Sequence, residues 1–130
     1  MGDASAPAPA LGLVLDCTDP DALARFWAPA LRYVNVGQAG AYVALVPEDR
    51  SGPKLLLQRV AEAKAGKNRM HLDIEVADIE AEASRLVALG ATRVSEGPCT
   101  EHGSTWLLMT DPEGNEFCVC DGGQPASDAP

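Results

Sequence analysis

An internal repeat is the feature that most constrains this chain: a strand, a capping aspartate and an amphipathic helix follow one another twice. In the first copy, LGLVLDC at 11–17 has the alternating pattern of a strand, and Asp19 precedes a helix. In the second copy, MHLDIEV at 70–76 alternates in the same way, and Asp78 precedes a helix. A half-buried strand followed by a helix that can cover it is the start of a packed unit, so the repeat predicts two units of one architecture.

The two copies superpose with an offset of 59 residues, which is the spacing between Asp19 and Asp78. Gly12 and His71 each precede their aspartate by seven residues, so Gly12 is the first-copy counterpart of His71.

Both predicted helices have an apolar stripe that should face a sheet. In the first helix Phe26 and Trp27 are expected in the core between helix and sheet, with a pocket or dimer seam as the alternative for one of them. Pro29 should kink this helix or end it near Ala28, because proline lacks the N–H of a helix interior. In the second helix Gly90 supplies the stop.

Three shorter strand signals follow each helix, and breakers such as DPEGN at 111–115, interpreted as a turn only, separate them. The signals lie at 32–37, 41–47, 54–60, 91–95, 104–110 and 115–120. Each copy is therefore a βαβββ module. One module cannot cover its own sheet, but two modules can join and bury the apolar faces of both. We therefore predict an α+β fold: two tandem βαβββ modules forming one curved mixed sheet around a cavity, with the helices on the outer face.

The predicted domain spans 11–120, with modules at 11–60 and 68–120. The ends, 1–10 and 121–130, are rich in Ala, Pro, Gly and Ser and are predicted to be disordered tails. A chain of 130 residues that is 46% hydrophobic is long enough for one packed domain and short for two.

Net charge of −9 argues against nucleic acid or an anionic membrane as a partner. The first ten residues lack the charged and apolar regions of a signal peptide, so we expect a cytoplasmic protein. In that compartment the four cysteines should be reduced thiols.

Several segments resemble the vicinal oxygen chelate superfamily, which includes glyoxalases, bleomycin-resistance proteins and extradiol dioxygenases. The likeness is carried by HLDIEVADIEAEASRLVALGATRV, DPEGNEFCVC and LDCTDPDALARFWAPAL. GPKLLLQRV followed by KNRMHLD is especially similar to a bacterial glyoxalase-like branch. The resemblance implies sheets curled around a cavity, a homodimer and, in metal-bearing members, an ion held by four strand positions.

Carried onto this sequence, the four metal positions implied by the resemblance are Gly12, Gln58, His71 and Cys118. His71 fits, Gly12 has no donor, Gln58 offers only a weak carbonyl ligand, and Cys118 stands where the family has Glu. The metal site is therefore interpreted as degenerate. No cofactor is the first expectation, and a divalent metal is the alternative.

Two arrangements would restore a metal site around His71. Cys118 as a thiolate would favour zinc or iron. Alternatively, Asp73 and Glu116 lie two residues from His71 and Cys118 on the same strand faces, and could shift the site by one pleat.

Without metal, the row of His71, Asp73 and Glu75 on one strand face predicts an acidic, hydrogen-bonding pocket, with Gln58 and Glu116 expected nearby. Such a pocket suits a cationic or polyhydroxylated small molecule. His71 is its plausible general base, and the plainer alternative is a structural histidine.

Four residues outside the row have a functional and a structural interpretation. Trp106 is either a stacking wall for a flat ligand or simple packing. Cys118 and Cys120 fit small buried fillers better than nucleophiles. His102, in a Gly-rich loop, is expected to be exposed.

The leading functional hypothesis is a glyoxalase-like protein with a degenerate metal site that binds a small molecule, such as a drug or secondary metabolite, in its concave cavity. The alternative is an enzyme: a metal-dependent lyase, isomerase or dioxygenase, or a metal-free one using His71 as acid or base. A regulatory domain without a ligand is the third. Fold alone does not choose among these, because function depends on the residues of the cavity.

Overall fold

The computed structural model describes residues 12–68, 71–101 and 103–121. The predicted tail at 1–10, all of the tail predicted at 121–130 except Asp121, and His102 lie outside the described residues. The first module contains β1 (Gly12–Cys17), α1 (Pro20–Leu31), β2 (Tyr33–Ala39), β3 (Tyr42–Pro47) and β4 (Lys54–Arg59). The second contains β5 (Leu72–Glu75), α2 (Ile79–Leu89), β6 (Thr92–Arg93), β7 (Cys99–Glu101), β8 (Ser104–Thr110) and β9 (Glu116–Cys120).

Each module forms its own mixed sheet. Sheet A has the order β1-β4-β3-β2 and sheet B the order β5-β9-β8-β6, with β7 also paired to β8. The first and last strands of each module are parallel neighbours, and the other pairs are antiparallel. The α+β fold of two βαβββ modules is confirmed. Hydrogen bonding divides the predicted curved sheet into two curved sheets that do not close into a barrel.

The strand predicted at 91–95 is shorter than expected, and a further strand, β7, follows it. Thr92 and Arg93 pair with one end of β8, and Cys99–Glu101 pairs with the other end. Pro98 cannot donate to a ladder, and with Gly97 it interrupts what would otherwise be one edge strand. The second module therefore keeps the pattern of the first, with its outermost strand broken in two.

Helix α1 begins as predicted and ends later than predicted. Asp19 Oδ1 accepts a hydrogen bond from the Ala22 N–H at 3.1 Å, and α1 continues through Pro29 to Leu31. The expectation that Pro29 ends the helix near Ala28 was wrong, because the burial of Ala30 and the hydrogen bonds from Arg85 to the Pro29 and Ala30 carbonyls hold the last turn in place. Helix α2 is capped by Asp78 and ends at Gly90, which has a φ of 125°.

One apolar core serves both modules. Phe26 and Trp27 of α1 meet Phe117 of β9, with ring centroids 5.0 to 6.2 Å apart. All three side chains are about 1% exposed or less. Phe26 and Trp27 are therefore core residues, and through Phe117 they join the first module to the second.

The DPEGN turn also joins the modules, so its interpretation as a turn only was wrong. Asp111 is 2% exposed, and its Oδ2 accepts a hydrogen bond from the Trp27 indole N–H at 2.9 Å. Its Oδ1 accepts from the backbone N–H groups of Glu113 and Asn115, and the Asn115 side-chain amide donates to both oxygens. The aspartate that shapes the turn therefore also holds the core tryptophan of α1.

Charged side chains of the second module bind both ends of α1. The Glu113 carboxylate accepts hydrogen bonds from the backbone N–H groups of Thr18 and Asp19 at 2.9 to 3.2 Å. At the other end, Arg85 of α2 donates to two carbonyls in the last turn of α1 at 3.0 and 2.8 Å. An anion at the N-terminus and a cation at the C-terminus both complement the helix dipole.

Replacing Arg85 with methionine should cost about 1–2 kcal/mol, because the stem is kept while the bonds to α1 are lost. Arg85 also holds the Glu82 pKa below its usual value through a hydrogen bond. A carboxyl group whose pKa is lowered by folding stabilises the fold at pH values above its unfolded pKa of about 4.3. This stabilisation is lost as the pH falls through the lower pKa of the folded state. Urea unfolding at neutral and acidic pH should show this acid dependence weakened in the variant.

The control for this prediction is Arg93→Met. Arg93 pairs with Glu80 in a similar two-oxygen geometry on the exposed surface, so its loss should cost about 0.5 kcal/mol or less. Equal costs for the two variants would contradict a role of Arg85 in joining the helices.

Candidate functional site

Six of the seven predicted site residues lie on one face of sheet B. Residues paired in register point to the same face, and Asp73 pairs with Cys118 while Glu75 pairs with Cys120. Cys120 in turn pairs with Trp106, and Leu72 and Ile74 point the other way, to the core. The shared face, here called the polar face, carries His71, Asp73, Glu75, Trp106, Glu116 and Cys118.

Three of these residues converge on the polar face. One ligand atom from each of His71, Asp73 and Cys118 lies within 4.8 Å of the other two. His71 Nε2 is 3.2 Å from Asp73 Oδ1, and both side chains are about half exposed. Cys118 is 8% exposed. The cluster thus has a buried thiol behind an accessible imidazole and carboxylate.

The environment of Cys118 favours the protonated thiol. Burial raises the pKa of Cys118, and the nearby Asp73 carboxylate raises it further. A low-pKa nucleophile requires the opposite surroundings. These surroundings agree with the interpretation of Cys118 as a buried filler rather than a nucleophile.

Glu116 is turned toward the segment between the modules. Its Oε1 accepts hydrogen bonds from Lys67 Nζ at 3.1 Å and from the Asn68 N–H at 3.3 Å, and the Lys67 bond lowers the Glu116 pKa. Of the two residues proposed to shift the metal site by one pleat, the structure therefore brings Asp73 to His71, whereas Glu116 pairs with Lys67.

Gln58 lies on the other sheet. It occupies β4, in register with Asp16 of β1 and Tyr42 of β3. Gly12, the counterpart of His71, offers no side-chain donor, and a Cβ built on it would meet the Lys54 side chain at 3.4 Å. The four metal positions implied by the resemblance are thus reduced to His71 and Cys118, with Asp73 as an added neighbour.

A cavity of about 280 Å³ opens between β1 and β5, the first strands of the two sheets. Trp27 and Leu55 contribute to its wall from the shared core, and His71 and Glu116 contribute from sheet B. The remaining lining residues are Gly12, Leu13, Val14, Leu15, Leu72 and Asn115. It is about twice the size of the roughly 150 Å³ apolar cavity that binds benzene in an engineered protein. Sequence patterns could not reveal it, because it depends on how the two modules pack.

A larger and more open cleft of about 480 Å³ adjoins this cavity and shares Leu15 and Asn115 with it. Its walls include residues of the segment between the modules, such as Glu62 and Lys64, and Glu113. Glu113 is already engaged with the start of α1. Because ligand sites are usually enclosed and largely apolar, the cavity beside His71 is the better candidate.

The cluster fits a metal ion only of a particular kind. An imidazole, a carboxylate and a thiol are the donors of zinc and iron sites, whereas magnesium and calcium prefer oxygen alone. Zinc bonds of about 2.0 to 2.3 Å place tetrahedral donors roughly 3.5 Å apart, so the side chains would have to close slightly around an ion. A bound ion would act here as a Lewis acid with an open coordination position.

The structure has two βαβββ modules, and in each module the first and last strands are parallel neighbours. A cavity lies between the two modules. These features define an α+β protein built from two similar modules. The family model described as a glyoxalase-like domain matches residues 12–120. The chain belongs to this glyoxalase-like family. Among curated proteins, none matches the sequence significantly.

Solved structures with the same fold share little sequence with this chain. A fosfomycin resistance protein, FosX, from Listeria monocytogenes, complexed with Mn(II) and 1S,2S-dihydroxypropylphosphonic acid, has a TM-score of 0.72 at 12% identity, covering 90% of this chain and 92% of its own. A glyoxalase/bleomycin resistance protein/dioxygenase from Nocardioides has a TM-score of 0.70 at 19% identity, covering 94% and 91%. An enzyme of that group from Burkholderia phytofirmans PsJN has a TM-score of 0.70 at 15% identity, covering 83% and 94%. Identities this low show the fold alone. In the described part of the chain, neither helix has the length and apolar character needed to cross a membrane.

Proposed function

We propose that this protein binds a small molecule in the cavity between β1 and β5, with His71 at the polar end of that cavity. The observation that supports the proposal is the cavity itself: a mostly apolar space of about 280 Å³ with His71, Asn115 and Glu116 gathered in its wall. Enclosed apolar pockets with a few convergent polar groups are the usual small-molecule sites of proteins.

The ligand that fits best has an apolar or aromatic body and a hydrogen-bond donor, such as an amine. The leucines and Trp27 suit the apolar body. When His71 Nε2 donates to Asp73, the neutral ring keeps a lone pair on Nδ1, which can accept a bond from the ligand. The carboxylates of Asp73 and Glu75 favour a cation on the same face. Drugs and secondary metabolites with aromatic amines are members of this ligand class.

The proposal predicts that Gly12→Leu abolishes binding of an aromatic amine such as 2-(1-naphthyl)ethylamine. Gly12 lines the cavity, and its backbone is not in the left-handed region, so a leucine side chain should occupy cavity volume without backbone strain. For the unsubstituted protein, ligand at one hundred times its Kd should raise unfolding free energy by about 2.7 kcal/mol. Thermal denaturation and tryptophan fluorescence measure the effect.

The control for this prediction is Gly97→Leu, at a position where a Cβ meets open space away from the cavity. It should leave ligand binding unchanged. Equal binding by Gly12→Leu and the unsubstituted protein would contradict the proposed cavity, and no stabilisation by a broad panel of amines would favour a domain without a ligand.

Enzymatic activity is the second candidate, and the His71–Asp73 contact of 3.2 Å is the observation that favours it. A carboxylate that orients an imidazole is a common arrangement for general base catalysis. The fosfomycin resistance neighbour holds Mn(II), which favours the metal-dependent form of this candidate. Incubation of each ligand found by the binding screen, with product analysis by mass spectrometry, tests it. Turnover that is lost in His71→Gln supports an enzyme, and unchanged ligand argues for a binding protein.

A further inference from the structure

We infer that His71, Asp73 and Cys118 form a binding site for a thiophilic divalent ion, Zn²⁺ in preference to Mn²⁺ or Mg²⁺. The three donor atoms lie within 4.8 Å of one another on the polar face of sheet B. This inference concerns the polar face and stands apart from the proposed small-molecule cavity, which can exist without a metal.

The parallel pairing of β5 and β9 brings the three donors together. Asp73 and Cys118 are register partners, so their side chains lie side by side on one face. His71 precedes Asp73 by two residues, which returns its side chain to the same face. All three ligands therefore come from the second module, and the site needs no residue from sheet A.

The donor set determines which ion is bound. The Cys118 thiolate is a soft ligand that favours zinc over manganese, and magnesium requires an oxygen shell that a thiolate cannot complete. The Asp73 carboxylate and the thiolate together supply two negative charges to balance a divalent cation. Three protein ligands leave one position of a tetrahedral ion open. Because His71 also lines the cavity, this open position lies near the proposed small-molecule site.

Titration with Co²⁺, a coloured substitute for Zn²⁺, tests the site in the full chain. One Co²⁺ per chain should bind with a sulfur-to-cobalt charge-transfer band, and Zn²⁺ should displace it. Cys118→Ser should lose the band, whereas Cys120→Ser should keep it, because Cys120 is equally buried and two residues farther along the same strand face. A missing band in the unsubstituted protein, or a band that survives in Cys118→Ser, would overturn the inference.

Variants of the two exposed ligands test the site without removing a buried side chain, so a loss of ion binding cannot be attributed to misfolding. His71→Ala and Asp73→Asn alter half-exposed side chains, so they should fold normally and still weaken Co²⁺ binding by about tenfold or more. Unchanged affinity in both would overturn the inference. Cys118→Asp should bind Mn²⁺ better relative to Zn²⁺, because the change replaces a soft donor with an oxygen donor. An unchanged Zn²⁺ preference would likewise count against a thiolate ligand.

The two proposals can fail separately. Gly12→Leu should prevent amine binding and leave Co²⁺ stoichiometry at one, and Cys118→Ser should do the reverse. A Co²⁺ site that disappears in Gly12→Leu would overturn the assignment of the ion to His71, Asp73 and Cys118.

Discussion

Replacing Asp111 with alanine should lower the free energy of unfolding by about 4 kcal/mol, the largest effect we expect from a single polar substitution. The change leaves the buried indole N–H of Trp27 without its acceptor at 2.9 Å, and it removes the acceptor of the Asn115 side chain. Since domains of this size are stable by only about 5–15 kcal/mol, much of the margin would be lost. Urea unfolding followed by circular dichroism measures the change.

Three further variants separate the contributions to this cost. Asp111→Asn keeps the shape and one carbonyl oxygen, and should cost less than alanine. Glu48→Ala removes an exposed carboxylate from the turn after β3, and should cost about 0.5 kcal/mol or less. A double-mutant cycle of Asp111→Ala with Trp27→Phe measures the bond between the modules, and additive costs would show that this bond is not what stabilises them.

Replacing Phe117 with alanine should lower the free energy of unfolding by about 3–5 kcal/mol. Phe117 is fully buried and contacts both Phe26 and Trp27 of α1, so its removal leaves a cavity at the meeting point of the two modules. Because this core is shared, both modules should still unfold in one transition. Chemical denaturation followed by tryptophan fluorescence and by far-UV circular dichroism should give coincident curves.

Two comparisons make this prediction specific. Phe117→Leu retains much of the buried volume and should cost about 1–2 kcal/mol. Val94→Ala truncates a side chain that is 52% exposed and should be nearly neutral. Non-coincident unfolding curves for Phe117→Ala would mean that the modules are stable separately, which contradicts a single core.

The modules were predictable from the sequence because their signals are local. Asp19 and Asp78 cap the helices as their positions predict, and the strand alternation around His71 places its polar and apolar residues on the correct faces. Pro29 misled the prediction, since sequence alone does not show that Arg85 and the core hold the turn in which this proline lies. The broken edge strand of the second module was too short to give a periodic signal.

The candidate site was predictable only in part. Alternation identified His71, Asp73 and Glu75 as one row, but only the strand register brings Cys118 beside Asp73. The Trp27–Asp111 bond spans 84 residues of sequence, and no local pattern indicates such a pairing. The cavity depends on the separation of β1 from β5, which follows from packing between modules rather than from either module's own pattern.

The binding of both ends of α1 by the second module has a consequence for the order in which the chain can fold during synthesis. Glu113 follows Asp19 by 94 residues, so α1 leaves the ribosome long before the residue that holds its start. Domains usually fold from the N-terminus as they emerge, but here the first module can complete its contacts only after β8 has been made. Nascent chains stopped before Asp111 should therefore remain open to proteolysis around α1, and chains that include all of β9, through Cys120, should become protected.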